Sequence, residues 1–519
     1  MEFLCSPAHP ASITIVVLYG TNALIFSLQS FTPAVTAVTM RKPTRDHRSM
    51  PIQTVNPATG ETVESFAALT DSELEERLTA AHDAFVQWRA QSVATRTTVL
   101  GRAAALLDER SEKYAALMTL EMGKTIRSAR EEVAKCASAL RFYATHATDF
   151  VGPERVSLGA DGSAIVRYEP IGPVLAVMPW NFPFWQVVRF AAPALAAANV
   201  ALLKHASNVP QCALALESLF ADAGAPHGVF QTLLLESSRV AGVIADDRVA
   251  AVTLTGSEAA GREVGAAAGR ALKKSVLELG GSDAFIVLAD ADIAHAARMA
   301  AQARTINNGQ SCIAAKRFIV AGSVADRFEE AFVRAMTALR VGDPFAENTD
   351  VGPLATPVIR DEVHDQVQRT VAAGAQLRCG GIMPDGVGNY YPPTVLVEVP
   401  PGSAAAVEEV FGPVAAVLRG RDDAELLALA NASRFGLGAS VWTSDSRRAD
   451  IFVERIEAGV VCVNRLVASD PRLPFGGVKS SGYGRELAAV GLREFVNIKT
   501  VRRAELESAP KAAGNVGAE

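Results

Sequence analysis

Three side chains in this sequence have types and neighbours that could do chemistry together. Cys312 stands in Asn307-Asn308-Gly309-Gln310-Ser311-Cys312-Ile313-Ala314-Ala315-Lys316-Arg317, directly before the apolar run Phe318-Ile319-Val320-Ala321. An isolated cysteine is most often a small buried hydrophobe. Here Asn, Asn, Gln and Ser precede it, surroundings that suit a thiolate, and Gly309 allows a close backbone approach. Glu278 lies in Leu277-Glu278-Leu279-Gly280-Gly281, an apolar strand end where an unpaired charge is costly. Its carboxylate is either an ion-pair partner of Lys273 or Lys274, or a general base whose pKa is raised by burial. Asn181, in Pro179-Trp180-Asn181-Phe182-Pro183, is either a turn residue with its aromatics in the core or a rigid amide donor to an oxyanion, partnered by the Cys312 N–H. A nucleophile, a base and an oxyanion donor are the parts covalent catalysis at a carbonyl carbon requires.

The elements around them alternate between strand and helix. Val174-Leu175-Ala176-Val177-Met178 reads as a strand, followed by a helix over 185–198 interrupted at Pro193. Val200-Ala201-Leu202-Leu203 and a helix over 209–223 come next, then a strand over 249–254 and a helix over 257–271. A second block of this kind runs from 284 to 463. Such alternation predicts parallel, doubly wound sheets with sites at the strand C-terminal ends. Thr255-Gly256-Ser257 joins one strand to its helix, so Ser257 is an N-cap, a phosphate contact, or both. Upstream, Leu74, Leu78, Ala81, Phe85 and Trp88 recur at helical spacing, as do Val99, Leu100, Ala103, Leu106 and Leu107, with Asp71 as an N-cap. Residues 151–171 read as a hairpin around a Gly-rich turn, and 494–501 as a further strand.

At 519 residues, 49% hydrophobic and 20% charged, the chain has the composition of an ordinary globular protein of two or more domains. A net charge of -6 offers no electrostatic footprint for nucleic acid. The six cysteines form no CxxC pair and the eight histidines are scattered, so no metal site is expected and the chain reads as a reduced, cytoplasmic protein. Between Phe3 and Met40 there is no charged residue, but Gly20, Thr21, Asn22, Ser27, Gln29, Ser30 and Pro33 interrupt any membrane span. Residues 1–49 are therefore expected to be an unordered extension or to follow from a misassigned start, with Met50 the candidate first residue. Residues 505–519 read as a frayed tail.

The cysteine stretch, Leu277–Gly281 (277–281) and 179–183 resemble the motifs of the aldehyde dehydrogenase superfamily. So do Glu408-Glu409-Val410-Phe411-Gly412-Pro413 and Pro474-Phe475-Gly476-Gly477-Val478-Lys479-Ser480-Ser481-Gly482-Tyr483-Gly484-Arg485-Glu486. The order is the family's, and the likeness covers about 50 to 503. Lys204-His205-Ala206-Ser207-Asn208-Val209-Pro210 and the stretch 306–317 look most like bacterial NADP-dependent succinate-semialdehyde dehydrogenases. The fold this implies is α/β: two doubly wound parallel domains plus a small β oligomerisation element. The chain would divide into the extension 1–49, a cofactor-binding domain in two parts (50–150 and 172–280), an oligomerisation hairpin (151–171), a catalytic domain (281–480), a C-terminal oligomerisation region (481–504) and the tail 505–519.

The resemblance also implies roles. Cys312 attacks an aldehyde, Asn181 holds the oxyanion, and Glu278 activates the water that releases the acid. Trp180, Asn181, Lys204, Ser207, Gly256, Ser257, Leu279, Glu409 and Phe411 bind the cofactor. NADP is preferred to NAD, because many NAD-using relatives carry Glu where Ser207 stands and that carboxylate repels a 2′-phosphate. Arg189 and Ser469 hold the distal carboxylate of the substrate, although some relatives place a second arginine where this chain has Ile306, a loss for which Arg465 or Arg472 are the candidates to compensate. The expected partners are a small aldehyde and further copies of the chain, as homodimer or homotetramer, with no nucleic acid or membrane. The competing readings are another aldehyde specificity, a cofactor-independent thiol hydrolase or acyltransferase, and a binding protein that has lost catalysis. The second lacks a histidine in the motifs of Cys312, Glu278 and Asn181; the third would predict damage to one of those residues.

Overall fold

The computed structural model describes residues 14–19, 22–27, 52–159 and 162–503. Thr14–Tyr19 and Asn22–Ser27 pair antiparallel, from Tyr19 opposite Asn22 to Thr14 opposite Ser27. The apolar and β-branched residues on either side of Gly20-Thr21 are the types that fit a ladder. The rest of the 1–49 extension, Met50 and the 505–519 tail lie outside the described residues.

Four helices follow the short pair Ile52–Val55 and Thr62–Phe66: α1 (Asp71–Trp88), α2 (Val93–Glu109), α3 (Ser111–Met122) and α4 (Ile126–Val151). The cap of α1 is Thr70, not Asp71. The Thr70 hydroxyl accepts from Glu73 N–H at 3.3 Å while the Glu73 carboxylate accepts from Thr70 N–H at 2.7 Å, a reciprocal box that leaves Asp71 inside the first turn.

The first large sheet carries β1 (Pro173–Met178), β2 (Val200–His205), β3 (Phe230–Thr232), β4 (Ala251–Thr255) and β5 (Lys274–Glu278). Its order is Gly482–Tyr483, β5, β4, β1, β2, β3, all parallel except the first, which pairs antiparallel with β5. The helices α5 (Trp185–Ala196), α6 (Pro210–Asp222) and α7 (Glu258–Arg270) connect these strands. Pro193 does not interrupt α5. All twelve residues of that helix are buried, and their packing outweighs one missing N–H.

The second sheet runs Gln376–Cys379, Thr394–Val397, Val414–Gly420, β7 (Arg317–Ala321), β6 (Ala284–Val287), Gly438–Trp442, Val460–Val463, with only the first strand antiparallel. Helix α8 (Ile293–Thr305) crosses from β6 back to β7. Each sheet has its own core: Trp88, Tyr114, Tyr143 and Phe220 are among the side chains of the first, Phe285, Phe318 and Phe328 of the second. Burying each such side chain contributes roughly 1.5–3 kcal/mol, enough to fix the strand ends from which the functional loops depart. A third sheet pairs Val496–Arg502 with Ser163–Pro170 and that with Glu154–Ser157, joining the two stretches that the sequence places far apart.

Candidate active site

Cys312 lies in the turn between α8 and β7, and the residues before it shape that turn. Asn307 and Asn308 both take left-handed backbone angles, φ 55 and 59, and Gly309 follows at φ 79. Asparagine and glycine are the residues that enter this region most readily. A Cβ on Gly309 would collide with the Gly412 carbonyl, so the third position admits glycine alone. The asparagine side chains then brace the loop. Asn307 Nδ2 donates to Asn181 O at 2.6 Å, and Asn308 Nδ2 to Gly123 O at 2.8 Å. Lys316 holds the other side, its ammonium donating to the carbonyls of Ser311, Cys312 and Ala314 at 2.8, 2.9 and 3.0 Å. The polar run before Cys312 is thus a brace and not a thiolate pocket as its composition suggests.

The thiol stands between two cavities. The larger, about 280 Å³, is lined by Trp180 and Asn181 beyond β1, Gly256 and Ser257 beyond β4, Leu279 and Gly280 beyond β5, and Glu409 and Phe411. Trp180 and Phe411 meet edge to face with ring centroids 5.7 Å apart. Ser257 caps α7 by accepting from Ala260 N–H, and the Gly261 N–H is bonded to the Ser257 carbonyl, so the N–H groups of Glu258 and Ala259 are the ones left for a ligand. The smaller cavity, about 150 Å³, takes in Lys135 from α4, Trp185 and Arg189 from α5, and Ile306, Ser469 and Phe475. No histidine lines either one.

Comparison with known proteins gives this geometry its context. Residues 44–501 match the model of the aldehyde dehydrogenase family. The chain belongs to the aldehyde dehydrogenase family. It is 54% identical over 452 residues to a Synechocystis protein named as a probable NADP(+) succinate-semialdehyde dehydrogenase, covering 87% of this chain and 99% of that one. Identity is 53% over 454 residues to succinate-semialdehyde dehydrogenase (NADP+) 1 of Mycobacterium tuberculosis, with the same coverage, 87% and 99%. Among solved structures, succinic semialdehyde dehydrogenase from Streptococcus pyogenes, in complex with NADP+, superposes with a TM-score of 0.85 at 37% identity, covering 87% of this chain and 99% of that one.

Measured against the family reading, the structure brings most of the expected residues together. Trp180, Asn181, Gly256, Ser257, Leu279, Glu409 and Phe411 share the larger cavity with Cys312, and Arg189 and Ser469 share the smaller one with it. Three of the expected residues, Lys204, Ser207 and Glu278, line neither. Lys204 is buried near the end of β2, opposite Val177 of β1, and burial alone lowers its pKa. Ser207 lies just beyond β2. It is not the cap of α6, whose N-cap is Val209 and has no side-chain bond.

Glu278 is buried against Gly476, both carboxylate oxygens without a hydrogen-bond donor among the described residues. Neither expected lysine reaches it. Lys273 donates to the carbonyls of Ile244 and Asp246, Lys274 to those of Glu494 and Val496. Burial, then the nearby Glu486, raises the Glu278 pKa well above the carboxylate range, against the opposing pull of Arg189. Burial also pushes the Cys312 thiol up to about 12, while Arg189 and Lys316 draw it down. Asn181 donates through Nδ2 to Gln310 O at 3.1 Å, and its Oδ1 has no partner.

Arg189 lines the smaller cavity but is already engaged within the protein. Its guanidinium is in a buried ion pair with Glu486 through Nε, donates to Thr255 Oγ1 at 3.3 Å through Nη2 and stacks on Phe475. Its charge is already matched inside the protein. Arg472 pairs with Asp470, Arg465 is exposed, and neither lines the smaller cavity. A second cation beside Arg189 does line it, Lys135, which had no signal in the sequence beyond its place on a helix.

Proposed function

We propose that this chain oxidises succinate semialdehyde to succinate through a covalent adduct on Cys312, with NADP+ as the hydride acceptor. The observation that carries this is the position of one thiol at the seam of two cavities, one built for a nucleotide and the other edged with cations. The larger cavity fits the nucleotide by its donors and acceptors. The start of α7 offers N–H groups to a phosphate, Glu409 offers a carboxylate to ribose hydroxyls, and Trp180 and Phe411 form apolar walls for a flat ring. Gly256 leaves the approach open, the nearest atom to a Cβ there being a Leu254 side chain at 3.6 Å. When bound, the nicotinamide supplies the electron acceptor. Ser207 and Lys204 are the residues we assign to the preference for the 2′-phosphate, which fits the NADP+ named for the relatives.

In this reading the Cys312 thiol gives its proton to water in the cavity, its sulfur forms a bond to the aldehyde carbon, and the carbonyl oxygen takes the negative charge. The second proton of Asn181 Nδ2 and the Cys312 backbone N–H stabilise that oxygen. Loss of hydride converts the adduct to a thioester, and water activated by Glu278 releases the acid. Glu278 must turn from Gly476 toward the adduct to do so, and its raised pKa makes it a stronger proton acceptor than an ordinary carboxylate. We further propose assembly as a homodimer or homotetramer through the Glu154–Ser157, Ser163–Pro170 and Val496–Arg502 sheet, which leaves Ile498 58% exposed on a single chain, and a cytoplasmic location. Among the described residues no helix is long and apolar enough to cross a membrane.

The test is rapid-mixing absorbance of reduced cofactor with succinate semialdehyde and NADP+. Cys312→Ala should give no turnover yet keep cofactor affinity, and Glu278→Gln should give a burst of about one equivalent followed by slow release. Substantial turnover in Cys312→Ala would end the covalent mechanism.

A further inference from the structure

The smaller cavity has a cation, Lys135, with no ion-pair partner among the described residues. We propose that Lys135 takes a direct part in recognising the distal carboxylate of the substrate, with the Ser469 hydroxyl as its fellow donor, beside the Arg189 that lines the same cavity. This rests on the substrate class proposed above and specifies how that class is selected.

The charges around the cavity point to Lys135 by their pairings. Arg189 is matched by Glu486, and Glu132 by Lys124. Glu131, one turn before Lys135 on α4, also lines the cavity but is exposed and forms no ion pair with it. Lys135 has no carboxylate within ion-pair distance among the described residues. Its ammonium lies 4.3 Å from the centroid of the Trp185 ring and donates to Ser469 Oγ at 2.8 Å. A half-buried ammonium without a counter-ion is stabilised by a ligand that supplies one.

Ser469 makes the site directional. Its oxygen accepts from Lys135 Nζ and also from Trp185 Nε1, at 3.1 Å. A hydroxyl has two acceptor positions and one proton, so both lone pairs are taken and the O–H remains a donor. That proton and the remaining ammonium protons are donors without a protein acceptor among the described residues, lining the cavity that Cys312 closes from the other side. Two convergent donors, one charged, suit the two oxygens of a carboxylate. The apolar Ile306 then needs no replacement by a second arginine, because the second cation comes from α4.

The orientation of this pair is built in. Glu132, adjacent to Lys135 on α4, accepts from the N–H groups of Phe184 and Trp185 at 2.9 and 2.8 Å, tying α4 to the start of α5. Lys135 and the Trp185 ring it faces are thereby held in one register, and the indole N–H is aimed at Ser469.

The experiment compares kcat/KM for succinate semialdehyde with kcat/KM for butanal, using NADP+, in the wild type, Lys135→Met and Lys135→Arg. Losing one charged hydrogen bond should lower the ratio about tenfold or more in Lys135→Met, and Lys135→Arg should recover most of it. As a readout without turnover, succinate should protect Cys312 of the wild type from iodoacetamide far better than Cys312 of Lys135→Met. A wild type that favours the aldehyde acid, with the ratio and the protection unchanged in Lys135→Met, would overturn the role of Lys135 alone. A wild type that does not favour the aldehyde acid would overturn the substrate reading beneath it.

Discussion

Raising the pH should remove the charge that selects the substrate, and the effect can be worked from the surroundings of one side chain. Burial lowers the Lys135 pKa to about 8, with the positive charge of Arg189 adding to the effect and Cys136, Glu132 and Asp470 opposing it. Glu131 faces the same cavity. The protonated form is the one that binds a carboxylate, so selectivity is present below this pKa and lost above it. An amine of that pKa is about 90% charged at pH 7 and about 10% at pH 9, whereas a carboxylic acid of ordinary pKa near 4 stays ionised throughout. The ratio of kcat/KM for succinate semialdehyde to that for butanal should therefore fall by close to tenfold, about one unit on a logarithmic scale, between those two pH values. The ratio matters because Cys312 and Glu278 also titrate, and their changes act on both aldehydes alike. Since kcat/KM reports the free enzyme, the tendency of a bound carboxylate to raise the lysine pKa does not enter. Initial rates of cofactor reduction across this range, at saturating NADP+, give the curve. Lys135→Arg should flatten it, because guanidinium remains charged. A ratio that is level or rising in the wild type would refute the reasoning.

Two further substitutions bear on the remaining assignments. Ser207→Glu should shift preference from NADP+ toward NAD+, measured as the ratio of kcat/KM for the two cofactors; an unchanged ratio would mean that Ser207 does not face the adenosine ribose. Arg189→Met should reduce kcat/KM for succinate semialdehyde and butanal alike and lower stability to denaturant by about 3–5 kcal/mol, because it leaves the buried Glu486 and Glu278 without their shared cation. A loss confined to the aldehyde acid, with stability intact, would restore Arg189 to direct contact with the carboxylate.

Much of the architecture was legible because it is written in contiguous residues. The runs that form β1, β2 and β4 are apolar and separated by helices, and such alternation has few solutions other than parallel sheets. The ends of elements were less legible. Thr70 and Asp71 are both good caps, and the choice fell to Thr70 because Glu73 can return the bond. Pro193 reads locally as a break, but α5 is enclosed on all sides, and that enclosure comes from parts of the chain distant in sequence. The Gly309 position was visible as a place of close approach, whereas the role of the two preceding asparagines required their partners at Asn181 and Gly123.

Charges are harder to read than elements, because their partners are chosen in space. Lys273 and Lys274 are close to Glu278 in number, but on an extended strand four residues span about 13 Å, too far for an ion pair. Arg189 is conspicuous among apolar neighbours, and that observation correctly implies an anion, yet it cannot say whether the anion belongs to the substrate or to the protein. The answer comes from Glu486, nearly 300 residues away in the chain, whose carboxylate reaches the guanidinium first. Lys135 is the converse case. On a helix one turn after Glu131, it looks like one more solvated side chain, and it becomes distinctive only when Trp185 and Ser469 enclose it and no carboxylate among the described residues reaches its ammonium. Which of two cations selects a substrate therefore follows from which is left unneutralised after folding. Arg189, which the sequence nominates, carries a charge already paired with Glu486, whereas Lys135, which the sequence does not, keeps its charge for a ligand in our proposal.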